Sequence, residues 1–305
     1  MKPLHLLIAI FVTCLWGFNF SVIKFGVDEI NPFILTGLRF TFAAFPLCFF
    51  IKKPNTSWFY IILYGLAFGV GVWGIMALSI NQGLSAGMAS TVLQTSAMIT
   101  TLIGIFYFKE VLSNSQLVGL MIAALGLLMM FYIDDGSVTT IGIALAITAA
   151  CSLALTNFLI KKAQIKEMFA FIVYSSLFAP VPLFAIALVT EGGNFSSFSQ
   201  ALNSSALISA IIQAYPTTLL GYWLWNKLQT VYPLSMMSPI RLLVPVFGLL
   251  GSVIFYAEGV SNLKLMAFSC IVFGVSLPLI MSLLTRIQKQ LYIKNSTRRI
   301  EPKSD

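Results

Sequence analysis

The sequence predicts an all-α membrane protein of ten transmembrane helices arranged as two inverted five-helix repeats. Three observations predict it. The 305 residues are 58% hydrophobic and only 9% charged, with a mean hydropathy of +0.93, whereas a soluble domain carries about 25% charged residues. Apolar runs of about twenty residues, enough to cross roughly 30 Å of hydrocarbon, recur from end to end. Fourteen of the 18 Lys and Arg residues then fall on one side of the membrane.

The ten spans read as 5–26, 32–51, 58–80, 84–108, 115–132, 139–160, 168–190, 204–225, 232–256 and 262–285. Asp28-Glu29 closes the first, Lys52-Lys53-Pro54-Asn55 the second and Asp134-Asp135-Gly136 the fifth; the longest connection begins at Glu191. With the amino terminus in the cytoplasm, Lys2, Lys52, Lys53, Lys109, Lys161, Lys162, Lys166, Lys227 and the six bases of the tail all lie inside. The outer loops hold Asp28, Glu29, Asp134, Asp135, Glu191 and Glu258, with Lys264 their only base. This obeys the positive-inside rule and places both termini in the cytoplasm. The formal charge of +8 is therefore a topology signal, and no solvated basic domain exists to hold nucleic acid. The first span lacks an A-x-A-like cleavage site and reads as a retained helix. Cys14, Cys48, Cys151 and Cys270 lie within spans, without zinc or CxxC spacing, as small apolar fillers.

An offset of 148 residues aligns 81–130 with 229–278 without a gap. Phe108-Lys109-Glu110-Val111-Leu112-Ser113-Asn114 meets Tyr256-Ala257-Glu258-Gly259-Val260-Ser261-Asn262 at equivalent span boundaries. The repeat unit has an odd number of spans, so Glu110 falls at the inner face and Glu258 at the outer. The domains read as 1–133 and 134–285, followed by a basic cytoplasmic tail, 286–305. Antiparallel halves of this kind are the architecture of secondary transporters, with a midplane site that opens alternately to each side.

Charge inside the bilayer costs roughly 2.5–3.5 kcal/mol on insertion scales, so each such residue needs a reason. Lys24 either snorkels to the interface, pairs with Asp28 or Glu29, or joins the site. Arg39 lies further in and is expected to face inward. Arg241 falls near the midplane among Pro233, Pro239 and Pro245, which loosen the helix; it either binds carbonyls of a neighbouring helix or anchors an anionic substrate group. Neutral polar residues join these: Trp16 and Asn19 three apart in the first span, Ser90, Gln94 and Thr101 as a stripe on the fourth, and Ser152, Thr156 and Asn157 on the sixth. Each alone reads as an interhelical hydrogen bond; together they form a candidate cavity lining. Trp73, Tyr215 and Tyr222 are candidate aromatic walls, while Trp225 reads as an interfacial belt residue. The candidate substrate-binding residues are thus Trp16, Asn19, Arg39, Ser90, Gln94, Asn157 and Arg241.

No phosphate loop or metal-ligand cluster is present, so neither ATPase, metal nor other cofactor is expected. All ten acids fall at span ends or in loops and tails, which leaves no buried carboxylate for a proton relay. A nucleophile–base pair at bilayer depth is missing too, against an enzyme.

Leu15-Trp16-Gly17-Phe18-Asn19-Phe20, Gly37-Leu38-Arg39-Phe40, Ala86-Gly87-Met88-Ala89-Ser90, Leu242-Leu243-Val244-Pro245-Val246 and the two Glu-bearing closing motifs stand in an order that resembles the EamA-type family of the drug/metabolite transporter superfamily. The resemblance covers 5–285 and lies nearest the bacterial amino-acid-metabolite exporters, which move cysteine and O-acetylserine. It implies a ten-helix inner-membrane bundle of two inverted repeats that exports small metabolites, commonly amino acids, and carries the family pattern onto Trp16, Asn19, Arg39 and Pro245. The closing motifs depart from it, since Lys109-Glu110-Val111 and Ala257-Glu258-Gly259 lack the Arg that often follows the Glu. The expected partners are a small-molecule substrate and membrane lipid, with no nucleic acid; the oligomeric state is left open, a monomer among the options. Efflux of drugs or other hydrophobic compounds is the alternative reading.

Overall fold

The computed structural model describes residues 1–109, 113–191, 204–232, 237 and 240–300. Within them the secondary structure is helical throughout, in the order α1 (Pro3–Val27), α2 (Pro32–Ala44), a 3-10 turn (Leu47–Phe49), α3 (Trp58–Leu66), a π-helical stretch (Ala67–Gly74), α4 (Ile75–Asn81), α5 (Ala86–Leu93), α6 (Ser96–Phe108), α7 (Asn114–Met130), α8 (Thr140–Ala163), α9 (Met168–Ser176), α10 (Pro180–Thr190), α11 (Ser204–Ile212), a second π stretch (Gln213–Leu220), α12 (Gly221–Val231), α13 (Leu243–Tyr256) and α14 (Asn262–Ile300).

Local chemistry sets the helix ends. Pro3 and Pro32 occupy first-turn positions where no backbone donor is missed. Side chains of Asn31, Ser85, Ser113 and Thr139 accept from the orphan N–H groups of the helices they precede, and Ser113 with Gln116 forms a full capping box. Lys109, Gln164 and Ala257 stop α6, α8 and α13 in the left-handed conformation.

Six stretches among the described residues are long and apolar enough to cross a membrane: Pro3–Val27, Pro32–Phe49, Trp58–Asn81, Ala86–Gly104, Thr140–Ala163 and Met168–Thr190; Asn114–Met130, Leu243–Tyr256 and Asn262–Pro278 are shorter apolar helices. Large apolar side chains such as Phe106, Leu125, Val181, Val189 and Phe255 are exposed on the outside of the bundle, as a lipid-facing surface requires. The chain is a multi-pass membrane protein. The eighth span reaches Val231 rather than 225, and α14 continues to Ile300, past the expected end of the tenth. Of the residues singled out in the sequence, Glu110, Pro233 and Pro239 lie outside the described residues.

The main core joins α1, α2, α5, α8, α9 and the rod running from α3 to α4, with Phe20, Ile34, Phe40, Met76, Met88 and Phe171 almost wholly buried. Several crossings demand glycine, and two of them place the site. A Cβ on Gly17 would press on Phe247 and on the Val244 carbonyl 2.7 Å away, so α1 and α13 touch backbone to backbone. Gly119 and Gly274 do the same for α7 and α14, each facing the carbonyl of the other.

Candidate functional site

Two helix breaks and two π stretches converge at the centre. Gln94 and Thr95 interrupt the fourth span between α5 and α6, and Leu242 precedes the start of α13 just after Arg241. In the second π stretch Pro216 lacks the N–H that an α-helix would use, and the Thr217 and Thr218 hydroxyls donate to carbonyls five residues back, Ile212 at 3.1 Å and Gln213 at 2.8 Å. The first π stretch carries Trp73.

Arg39 joins the two stretches. It is 1% exposed. Its Nε and Nη2 donate to Thr218 Oγ1 at 3.2 and 3.0 Å and its Nη1 to Gln213 Oε1 at 3.4 Å. The guanidinium carbon sits 4.1 Å from the centroid of the Trp73 ring. Every hydrogen-bond partner is neutral, and no carboxylate pairs with Arg39 among the described residues.

A cavity of about 320 Å³ is lined by Gln94, Ala97, Thr101, Gln116, Asn157 and Arg241, among others. Behind it lies a chamber of about 40 Å³, bounded by Trp16, Arg39, Trp73, Ser90, Tyr222 and again Gln94 and Arg241. Gln94 and Arg241 therefore stand between the two spaces. Arg241 is exposed and its guanidinium lies 5.8 Å from the Trp16 ring centroid; no carboxylate pairs with it either among the described residues.

Of the seven residues singled out from sequence, Trp16, Arg39, Ser90, Gln94 and Arg241 border the small chamber, and Gln94, Asn157 and Arg241 the larger cavity. Trp16 donates from Nε1 to the Thr217 carbonyl at 3.0 Å and packs on Tyr222 and Trp225. Ser90 donates to its own helix at Gly87, and Asn157 donates to Thr100 at 3.3 Å. Asn19 is not among the residues lining either space; it is 1% exposed and neither of its amide atoms has a partner. Lys24 pairs with Asp28 at 2.9 Å. Trp225, expected at the interface, is 5% exposed and buried with Ala9, Val12 and Met237, because the ring fills the gap between α1 and α12.

Sequence reasoning missed Gln116, Gln213, Thr217 and Thr218. The signal for the last three was present: Gln213, Thr217 and Thr218 flank Pro216 inside an apolar run, a combination that frees backbone acceptors and invites a wider helix.

The EamA-like transporter family matches the chain twice, over residues 4–132 and again over 140–280. The chain is 31% identical over 275 residues to the probable amino-acid metabolite efflux pumps of Escherichia coli and Salmonella typhimurium, covering 88% of this chain and 92% of each of those proteins. An uncharacterized transporter of Bacillus subtilis is 26% identical over 253 residues, 78% of this chain and 84% of its own. A crystal structure with 15% sequence identity superposes with a TM-score of 0.63 over 100% of both chains.

Proposed function

The chain belongs to the EamA-like transporter family, and from that premise we propose that it exports a small amino acid or amino-acid derivative from the cytoplasm across the inner membrane, by alternating access between two inverted five-span halves. The double family match supports the two-half reading. So do features that recur at the 148-residue offset: the left-handed stops at Lys109 and Ala257, the span breaks at Gln94 and Leu242, and the α7 and α14 starts at Asn114 and Asn262. The π stretches at 67–74 and 213–220 recur at nearly the same offset. Each is a local backbone event that chance similarity of apolar helices does not require.

Orientation follows from the basic loops. With both termini inside, Thr101, Gln116, Asn157 and Pro278 lie in the cytoplasmic half of the bundle, so the larger cavity is the loading side of an inward-open state. One observation carries the substrate class. Arg241 stands at a helix break between two cavities, exposed, with no carboxylate paired to it among the described residues. A substrate carboxylate supplies that missing charge bidentately. Gln94 and Asn157 bring amide oxygens to the same cavity for the ammonium group. Trp16, Trp73 and Tyr222 enclose the chamber behind it, where Arg39 offers a second cation as the halves rock. A volume of about 320 Å³ stands at the small end of ligand pockets, roughly 300–1,000 Å³, and favours metabolites over bulky drugs.

The test compares efflux of labelled O-acetylserine and cysteine from cells with and without the protein. Arg241→Ala is expected to lower efflux about 10- to 100-fold, the loss of a charged hydrogen-bonded anchor, with partial recovery in Arg241→Lys. Unchanged efflux of these solutes in Arg241→Ala, or efflux only of a hydrophobic dye, removes the amino-acid reading.

A further inference from the structure

At the opposite end of the bundle from the larger cavity, α14 begins with a lysine that no solvent reaches. Lys264 is 0% exposed. Its ammonium donates to Glu258 Oε1 at 2.9 Å, to Asp135 Oδ2 at 2.8 Å and to the Gly259 carbonyl at 2.7 Å, so its three donors are all used. The side chain of Glu258 is only 6% exposed, and it also accepts from Ser85 Oγ at 2.7 Å and from Ser252.

These groups divide into two units. Ser85, Asp135 and Ser137 hold one another: the Ser85 N–H donates to the Ser137 carbonyl at 2.8 Å, and Ser137 donates backbone and side chain to Asp135. Ser252, Glu258, Gly259 and Lys264 form the second unit, contributed by the end of α13, the start of α14 and the turn between them. Two side-chain contacts stitch the units together, Asp135 to Lys264 and Ser85 to Glu258. Asp135 keeps 31% of its side chain in solvent, so water can take over its oxygens when the seam parts. Buried Glu258 and Lys264 keep each other.

The 148-residue offset gives the seam its meaning. It carries Gln116 onto Lys264, both in the first turn of their helices and both behind a serine, Ser113 or Ser261, that caps the turn. Gln116 lines the 320 Å³ cavity at its end of the bundle. Lys264, at the corresponding place on the other end, is sealed. One position is open while its counterpart is clamped.

We propose that the contacts of Asp135 with Lys264 and of Ser85 with Glu258 are the outer latch of the transport cycle, closed while the cytoplasmic cavity is open and parted when the outer face opens. This rests on the inverted-repeat, alternating-access reading. Parting leaves the Glu258–Lys264 pair intact, so the outward mouth carries no isolated buried charge.

The test places a cysteine at Met130, 0% exposed near the outer end of α7, in the full chain with Cys14, Cys48, Cys151 and Cys270 replaced by alanine. A membrane-impermeant maleimide is applied outside intact cells. Asp135→Asn is expected to speed labelling about tenfold, Ser85→Ala by a smaller factor, and both together most of all. Equal labelling rates in parent and variants that elute as folded protein overturn the latch. Should Asp135→Asn fail to fold, Ser85→Ala decides the question beside Thr139→Ala, since both remove a helix cap and only Ser85 also reaches Glu258. Labelling of position 130 only from the cytoplasmic side overturns the latch together with the topology. Faster labelling in a protein that exports no amino acid supports the latch and sinks the export reading alone.

Discussion

Arg39 and Lys264 are both almost wholly buried, and their surroundings are opposites. Lys264 lies between two carboxylates and a carbonyl, its charge cancelled within the protein. Arg39 meets a threonine hydroxyl, a glutamine carbonyl and the faces of Trp73 and Phe40, so its charge is solvated but not cancelled. Neutral acceptors and π faces stabilise a guanidinium without pairing it. A cation left uncancelled beside a chamber is disposed to receive an anion, whereas one cancelled between two segments of chain ties those segments together. On the readings proposed above, the same burial would serve recognition at one site and closure at the other.

The sharpest way to break this contrast is to make both cations methionine. Lys264→Met leaves Asp135 and Glu258 facing each other without a counter-charge, and is expected to destabilise the protein by about 3–5 kcal/mol. Arg39→Met strands no counter-charge, but it leaves the buried Gln213 Oε1 and Thr218 Oγ1 without the donors they now have. Its destabilisation is expected to be the smaller of the two, about 1–3 kcal/mol, the cost of buried neutral acceptors left without a donor, while amino-acid efflux falls about 10-fold, the equivalent of one lost charged hydrogen bond. Thermal unfolding in detergent, read beside efflux, checks both. Equal destabilisation of the two variants would mean that Arg39 is structural cement of the same kind as Lys264.

The smallest expected effect is that of acid. Although partial burial alone would raise the Asp135 carboxyl, the hydrogen bonds from Lys264 and Ser137 outweigh it and hold it below the ordinary carboxylate range. A lowered native value means that this contribution is present above the unfolded carboxylate range, about 3.9, and is lost only as pH falls through the still lower native value. Outside pH between 8 and 5 should therefore leave labelling at Met130→Cys unchanged, once rates are scaled to a cysteine in a solvent-exposed loop. A rise at pH 5 would mark the latch as a proton switch.

Much of the bundle was legible in the chain because a bilayer admits few solutions. Every backbone polar group must be satisfied within a helix, so twenty apolar residues between turn signals are sufficient to locate one, as at 58–80 and 168–190. Arg39, Gln94 and Arg241 were legible for the converse reason, since polar groups at such depth must have a destination. The π stretches were not. They arise where Pro216 and close helix contacts at Gly65 and Gly69 trade one hydrogen-bond register for another, a choice made by neighbours that sequence does not place. The acids illustrate the same limit. Glu258 does fall at a span end, as read, but its burial depends on Ser85 arriving there from far along the chain and on Lys264 folding back over it.

The sequence by itself determined the membrane class, the polar residues set within the apolar runs and the family, because hydropathy, charge asymmetry and motif order are properties of the chain read in line. Tertiary structure alone decided which cation is cancelled and which is left open, and which end holds a cavity. Those outcomes depend on residues 100 to 200 positions apart meeting within 3 Å, Asp135 with Lys264 and Arg39 with Thr218, and Coulomb and hydrogen-bond energies fall off too steeply with distance for sequence spacing to reveal them.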